Sequence, residues 1–236
     1  LRDSIQDRLM ADVPVGIVLS GGLDSSLMAA LAHDAADSVG KPTPECWTVA
    51  DSEDNVDLLA SIMVTENQDL GHHIHIMDEN TMWKELPKFV WNGEDLDITV
   101  MFWQSVFQQM KGNVTVALCG QGADELHAGY SRYRNLSRHS KLINSRLKLS
   151  GQISISDEDR GLGKPWSSES ISPEDNFSNL RKTLDFEQNR GQRSNFQLRL
   201  GDRHSMAQAI EARVPFLGMS HAKLANQLPL SWRLSK

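Results

Sequence analysis

Cysteine is almost absent from this 236-residue sequence, which holds only Cys46 and Cys119. Two cysteines cannot form a disulfide framework, and the spacing of this pair matches no zinc site. We therefore expect two buried free thiols. Long hydrophobic runs are also missing: none approaches the roughly 20 residues that span a bilayer, and no signal peptide precedes Leu1. These absences predict a cytoplasmic protein without a membrane partner.

Runs of basic residues are lacking as well. The net charge is -7, and no stretch of Lys and Arg is long enough to follow a phosphate backbone. The composition therefore argues against nucleic acid as a partner. A chain of this length suits one α/β domain, alone or with a helical extension.

The stretch "LSGGLDSS" at residues 19–26 lies between an apolar run and an alanine-rich helical pattern. Residues 16–19 read as a buried strand, so the order is strand, tight turn, helix. Gly21 and Gly22 allow backbone N–H groups to approach a ligand, and the helix that follows offers its positive end. Such a turn either binds an anion or only reverses the direction of the chain, and the serines that follow the glycines favour anion binding.

The same turn has no lysine before its serines, which excludes the phosphate loop that serves β/γ cleavage. Ser20, Ser25 and Ser26 add hydroxyl groups. Asp24 would repel a phosphate unless a divalent cation lay between them. The turn therefore predicts a nucleotide together with Mg²⁺.

Strand and helix patterns alternate along the first part of the chain, which predicts a parallel, doubly wound α/β sheet. We predict further strands at 46–50, 72–77 and 114–119, and helices at 58–71, 81–90 and 99–111. The acidic run 51–57 is interpreted as a solvated loop. Residues 1–149 would form the nucleotide-binding core, 150–175 a polar loop or linker, and 176–236 a helical part with a break at "RVPFL".

A second glycine-rich turn, "CGQGADELHAGY" at residues 119–130, follows the predicted fourth strand. Ligands of doubly wound sheets lie beyond the carboxyl ends of the strands, so both turns are predicted to converge on one nucleotide. Asp24 and Asp124 would then share the metal ion. His73 and His75 also share a strand face, but no third zinc ligand of suitable spacing follows them.

Three motifs together resemble the synthetase domain of glutamine-dependent asparagine synthetases, which are ATP pyrophosphatases of the PP-loop type. They are "VPVGIVLSGGLDSS", "CGQGADELHAGY" and "DRHSMAQAIEARVPFL", in the order of that family. The resemblance implies amidation of aspartate to asparagine through an acyl-adenylate, with release of AMP and pyrophosphate. Ammonia would come from an N-terminal glutaminase domain that is not in this chain, and a homodimer is an open alternative.

The resemblance also assigns site residues. It implies nucleotide contacts from Leu19, Ser20, Gly21, Gly22, Asp24, Ser25, Ser26, Val49, Cys119 and Gly120. Gln121, Asp124 and Glu125 would lie beside the metal and the acceptor. The Glu211 and Arg213 pair is interpreted as a structural salt bridge.

Two positions depart from the family pattern. Gln121 stands where asparagine-forming members usually carry a glutamate, which keeps hydrogen bonding but removes the charge. Gly218 stands where many members have an aspartate. The reaction therefore stays open between amidation of aspartate, an amidotransferase that acts on another carboxylate, and a β-lactam-forming synthetase that uses the same adenylation but closes a ring internally. A nucleotide-binding homologue without turnover is the non-enzymatic alternative.

Overall fold

The structure is a computed structural model that describes residues 1–136, 138, 176–189, 193 and 197–234. Its core is a five-stranded sheet in which every strand pair is parallel. The strands, in the spatial order β3-β2-β1-β4-β5, are β1 Val15–Val18, β2 Glu45–Ala50, β3 His72–Ile76, β4 Val116–Leu118 and β5 Glu211–Arg213. This topology confirms the predicted α/β fold class.

The described helices precede, connect or follow these strands. They are α1 Arg2–Arg8, α2 Leu23–Ser38, α3 Val56–Gln68, α4 Glu79–Gly93, α5 Met101–Met110, α6 Ala123–His127, α7 Asn176–Asn189, α8 Arg199–Met206, α9 Met219–Gln227 and α10 Leu230–Arg233. Short 3₁₀ turns lie at Ile98–Val100, Ser131–Asn135 and Pro215–Leu217.

Helices cover both faces of the sheet. Trp47 of β2 packs into an apolar cluster with Phe107 and Met110 of α5. The hydroxyl oxygen of the next residue, Thr48, lies 3.4 Å from the Ser61 hydroxyl of α3. Successive side chains of a strand point to opposite faces, so α5 and α3 lie on opposite sides of β2.

The predicted helix at 58–71 begins and ends earlier than its pattern indicated. The Asn55 side chain accepts hydrogen bonds from the backbone N–H groups of Asp57 and Leu58, so α3 begins inside the acidic run that was predicted as loop. The helix ends at Asp69, which adopts the left-handed conformation at φ 51. Gly71, the predicted last residue, therefore lies beyond the helix, and its carbonyl accepts a hydrogen bond from Cys46 N–H at 2.8 Å.

The fifth strand was missed by the sequence analysis, which predicted only helix with a break in this part of the chain. Glu211–Arg213 pairs with Val116–Leu118 in parallel register at the edge of the sheet. Three residues are too few to show an alternating pattern. Sheet pairing, not local sequence preference, makes this segment a strand.

The chain forms two compact units. The first contains Leu1–Gly122 and Asn195–Lys223, and so holds the whole sheet; the second contains Ala123–Ser194 and Leu224–Lys236. The boundary between Gly122 and Ala123 falls inside the second glycine-rich turn. The predicted linker at 150–175 lies outside the described residues, and the three-part division stays a prediction.

Candidate functional site

The first glycine-rich turn is fastened by its own serines. Ser25 Oγ accepts a hydrogen bond from Ser20 N–H at 3.2 Å, lies 3.0 Å from Ser20 Oγ, and donates to the Gly22 carbonyl at 3.1 Å. Gly22 is the N-cap of the 16-residue helix α2 and gives it no side-chain cap. The N-terminus of this long helix, where its dipole is positive, therefore faces the turn without a capping side chain from Gly22.

Gly21 is the residue that lets this turn pack against α3. Its φ is +74, and a Cβ atom added there would lie 2.0 Å from the Asp57 carbonyl oxygen and 2.9 Å from Ser61 N. No other residue type fits this position without moving helix backbone. The close approach fixes the turn relative to the N-terminal turn of α3.

Gly120, near the start of the second glycine-rich turn, approaches the first turn within the same unit. A Cβ atom added at Gly120 would lie 3.5 Å from Ser25 N and 3.8 Å from Asp24 Cβ, so little more than a methyl group separates the two turns. Both turns follow adjacent parallel strands, β1 and β4, at their carboxyl ends. The structure thus brings together Asp24, Ser25 and Gly120 of the predicted site.

Three other predicted nucleotide contacts have largely buried side chains. Leu19 is 1% exposed, and its N–H donates to the Trp47 carbonyl at 2.9 Å. Val49 of β2 is partly buried and packs against two apolar clusters. Cys119 is also in the core, and its N–H donates to the Arg213 carbonyl at 2.8 Å. At Leu19 and Cys119 the backbone, more than the side chain, is left to contact a ligand.

Both cysteines are buried free thiols, as predicted. Burial raises the pKa of the Cys46 thiol and the Cys119 thiol to about 12. A thiol with this pKa stays protonated at neutral pH and is a poor nucleophile. Cys119 therefore contributes packing and backbone groups to the turn, not covalent chemistry.

Gln121 lines a cavity of about 390 Å³ in the first unit. Its Oε1 atom is enclosed and has no hydrogen-bond partner among the described residues. The rest of the described lining is partly apolar and partly polar. The apolar part comes from Leu198, Gly201, Ala212 and Val214, and the polar part comes from Gln197, Arg199 and Asp202. The "DRHSMAQAIEARVPFL" motif supplies part of this wall, which the sequence analysis did not connect with Gln121.

The acidic pair of the second turn, Asp124 and Glu125, lies in the second unit. Glu125 is fully buried, and its Oε1 accepts a hydrogen bond from the Tyr130 hydroxyl at 2.8 Å. Burial raises the pKa of Glu125, although the Tyr130 bond opposes this shift. Burial also raises the pKa of Asp124, while the charge of Arg132 lowers it.

A buried polar network in the second unit was missed by the sequence analysis. Glu187 is 3% exposed, accepts from Arg132 at 2.9 Å, and also accepts a short hydrogen bond from the Tyr133 hydroxyl. The neighbouring Gln188 donates to the Glu125 backbone carbonyl at 2.9 Å. The partners lie more than 50 residues apart along the chain, so no local pattern indicates them.

Other sequence expectations concern metal ions and salt bridges. The parts of the chain that the structure describes hold no group of three or more His, Cys, Asp or Glu residues arranged for a metal. His73 is hydrogen-bonded to Glu45 at 2.7 Å and stacks on Trp47, which gives it a structural role. The Glu211 and Arg213 salt bridge is confirmed at 2.8 Å. The Asp24 and Asp124 metal assignment stays a prediction.

Gly218 departs from the family pattern for a steric reason visible here. A Cβ atom at this position would lie 2.1 Å from Ser4 Oγ. Ser4 itself donates to the Pro215 carbonyl at 2.6 Å and is buried under the end of this segment. An aspartate at Gly218 would therefore require the contact with α1 to be rebuilt.

Together, the parallel sheet and the paired turns at the ends of β1 and β4 define an α/β fold of the PP-loop superfamily. The chain belongs to the asparagine synthase family, whose family model matches residues 1–236. No described helix combines the length and the apolar character needed to cross a membrane.

Several curated proteins are similar to this chain. Glutamine-hydrolyzing asparagine synthetase 1 of Bacillus subtilis is 34% identical over 140 residues, which cover 56% of this chain and 21% of that protein. Amidase chyE of Penicillium rubens is 34% identical over 149 residues, covering 57% and 22%. The glutamine-hydrolyzing asparagine synthetase of Bos taurus is 27% identical over 161 residues, covering 66% and 29%. The chain thus matches less than a third of the length of these relatives.

Proposed function

We propose that this chain is the adenylating part of an ATP-dependent ligase that amidates aspartate to asparagine. A carboxylate oxygen of the acceptor attacks the α-phosphorus of ATP, the bond from that phosphorus to the bridging oxygen breaks, and pyrophosphate leaves. Ammonia then attacks the acyl carbon, loses a proton, and displaces AMP. The ammonia would come from a glutaminase domain, as the names of the glutamine-hydrolyzing relatives suggest.

The observation that carries this proposal is the contact between the two turns. Gly120 approaches Asp24 and Ser25 so closely that a ligand held by one turn also faces the other. A nucleotide is the ligand that suits this pair, because it combines an anionic phosphate chain with a flat apolar base. The phosphates would lie against the N–H groups of the first turn, with Val49 and Gly120 beside the nucleoside.

The residues of the first turn fit a pyrophosphate group. The N-terminus of α2 has no side-chain cap, and Ser20, Ser25 and Ser26 place hydroxyl groups in or just after the turn. Preorganised N–H donors of this kind stabilise charge that develops on a leaving group. Each such donor is typically worth about 3 kcal/mol, or on the order of a hundredfold in rate.

We propose Mg²⁺ as the counterion, with Asp24 and Asp124 as its protein ligands. Carboxylate oxygens and phosphates are the ligands this ion prefers, and the bound ion would neutralise charge on the departing pyrophosphate. Asp24 lies in the first turn of α2, where a carboxylate beside phosphate needs such an ion.

No side-chain nucleophile is required for this reaction. Gln121 would position the acceptor by hydrogen bonds, because its amide does not take up a proton near neutral pH. Glu125, held by Tyr130, would keep the acidic end of the second turn in place. We also propose a cytoplasmic location. Light scattering of the full-length protein distinguishes a monomer from a homodimer.

A second candidate function is amidation of a carboxylate other than aspartate. It is favoured by Gln121, which removes the charge that asparagine-forming members usually have at this position. The similarity to a relative named amidase chyE also supports a wider range of reactions in this family.

Exchange of labelled pyrophosphate into ATP tests the proposal, measured on the full-length protein across a panel of carboxylates. We expect exchange that requires both Mg²⁺ and an acceptor, with aspartate the most effective acceptor. Exchange with a different carboxylate but not with aspartate would favour the second candidate. Binding of ATP without exchange for any acceptor would leave only a nucleotide-binding homologue.

A further inference from the structure

The cavity beside Gln121 carries two opposite charges at one end. Arg199 and Asp202 both line it, and both belong to α8. Residues three positions apart lie on the same face of a helix, with their Cβ atoms about 5–6 Å apart. The cavity therefore presents a cation and an anion side by side, while Gln121 offers a neutral amide from the turn after β4.

The rest of the wall offers few groups that bind charge. Leu198, Ala212 and Val214 supply apolar surface, and among the described lining residues Gln197 adds one more polar side chain. The volume of about 390 Å³ falls in the range of cavities that hold small organic ligands. A ligand of this cavity would therefore be oriented chiefly by Arg199 and Asp202 at one end and by Gln121.

Arg199 makes an ion pair at the surface of the first unit. Its guanidinium donates to Asp95 at 2.8 Å, and the side chains of this pair are 43% and 34% exposed. Exposed ion pairs of this kind contribute little to stability, so a ligand carboxylate can replace Asp95 in this pair. Arg203 differs, because it donates to the Gly93 carbonyl at 2.7 Å, pairs with Glu94, and does not line the cavity.

We propose that this cavity binds the amino-acid end of the acceptor, with Arg199 on its α-carboxylate and Asp202 on its ammonium group. The carboxylate to be activated then lies toward Gln121. This assignment rests on the proposed function, since it gives the acceptor of that reaction its binding site. It makes Arg199 and Asp202 specificity-determining residues that select an acceptor carrying both charges.

Three acceptors separate the two contacts. Aspartate carries both charges, succinate lacks the amine, and β-alanine lacks the α-carboxylate. With the full-length protein, Arg199→Gln is expected to raise the KM for aspartate and for succinate at least about tenfold, with little effect on β-alanine. Asp202→Asn is expected to raise the KM for aspartate and β-alanine by a similar factor, with little effect on succinate.

The control variant is Arg203→Gln, which removes a neighbouring cation of the same helix that does not line the cavity. We expect it to leave all three acceptor KM values within about twofold. The KM for ATP should stay unchanged in every variant, and melting temperatures measured in parallel report any loss of folding.

Equilibrium binding of aspartate, measured calorimetrically without turnover, separates this inference from the proposed reaction. If Arg199→Gln and Asp202→Asn each weaken aspartate binding about tenfold, the cavity assignment is supported. This holds even if pyrophosphate exchange is absent and the proposed reaction fails. Absence of aspartate binding to the parent, or equal effects of all three variants, would overturn it. A change confined to the KM for ammonia would also overturn it, because the cavity would then serve ammonia and not the acceptor.

Discussion

The two glycine-rich turns look alike in sequence but are supported differently. The first, at residues 19–26, lies wholly in the first unit and is fastened by its own serines and by α3. The second divides after Gly122, so that Gly120 and Gln121 belong to the sheet unit and Asp124 and Glu125 to the other. The first turn is held by contacts within its own unit, whereas the carboxylates of the second turn are positioned by a separate buried network.

This difference assigns distinct physical tasks to the two turns. N–H groups and hydroxyls dominate the first, and these suit a phosphate chain. Carboxylates with raised pKa values dominate the second turn. The Glu125 carboxylate accepts a hydrogen bond from Tyr130, and Gln188, the residue after Glu187, donates to the Glu125 backbone carbonyl. Substitutions in the first turn should therefore act through backbone geometry, and those in the second through charge.

The largest expected effect is on the first turn. Gly21→Ala places a Cβ atom on a left-handed backbone and against the Asp57 carbonyl oxygen. Because both changes are unfavourable, it should lower the free energy of unfolding by about 2–5 kcal/mol. Gly40→Ala is the matched control, because Gly40 has φ +64 but no atom within 4 Å of an added Cβ. It should cost only about 1–2 kcal/mol. Equal losses in urea unfolding would show that packing against α3 is unimportant.

The next effect concerns the network behind the second turn. Glu187→Gln removes the charge that pairs with Arg132 in a buried site, and should destabilise the protein by about 3 kcal/mol. Tyr133→Phe deletes only a hydroxyl donor to the same carboxylate and should cost about 1 kcal/mol. Urea unfolding of both variants measures the difference. A Glu187→Gln protein as stable as the parent would show that this network does not stabilise the region behind the second turn.

A smaller effect is expected on metal-dependent binding. Asp24→Asn should weaken binding of Mg-ATP at least about tenfold while leaving metal-free adenosine nearly unaffected, because only the charged carboxylate attracts the ion. Asp124→Asn should act in the same direction. Titration calorimetry with and without Mg²⁺ measures both, and an unchanged magnesium dependence in Asp24→Asn would contradict the metal assignment.

The subtlest effect is a pH dependence of stability. The pKa of Glu125 is raised above its ordinary value of 4.5 in the folded protein, chiefly by burial. Its protonated form is therefore favoured by folding, and this contribution to stability is present below 4.5 and is lost as the pH rises through the folded pKa. Glu125→Gln should flatten that decline.

Urea unfolding between about pH 4 and pH 8 measures the pH dependence, with the exposed Glu66→Gln on α3 as the control. The control should keep the decline of the parent protein. If the Glu125→Gln variant showed the same decline of stability with rising pH, the burial of Glu125 would not be the cause of that decline.

Features that depend on short stretches of sequence were predictable. The strand–turn–helix order around the first turn, the strands β1 to β4 and the buried thiols all follow from local patterns, and the structure confirms them with shifts of one or two residues. The strand Glu211–Arg213 was not predictable, because it is defined by pairing with β4. The Arg132 and Glu187 pair was not predictable either, since its residues meet only through folding.

The cavity illustrates the same limit within the site. Gln121 was singled out from the sequence because it departs from a family pattern, and the signature motif at 202–217 was recognised separately. Only the fold shows that the two share a wall with Arg199. Arg199 precedes that motif and Arg203 lies within it, but nothing in the sequence indicates which of the two arginines lines a cavity.

The central claim is that both glycine-rich turns contact one nucleotide. A crystal structure of the full-length protein with Mg²⁺ and an ATP analogue that resists α/β cleavage tests it most directly. We expect the phosphates to contact backbone N–H groups of residues 20–26, and the same nucleotide to contact Gly120. A nucleotide bound at only one turn, or bound away from both, would contradict the claim.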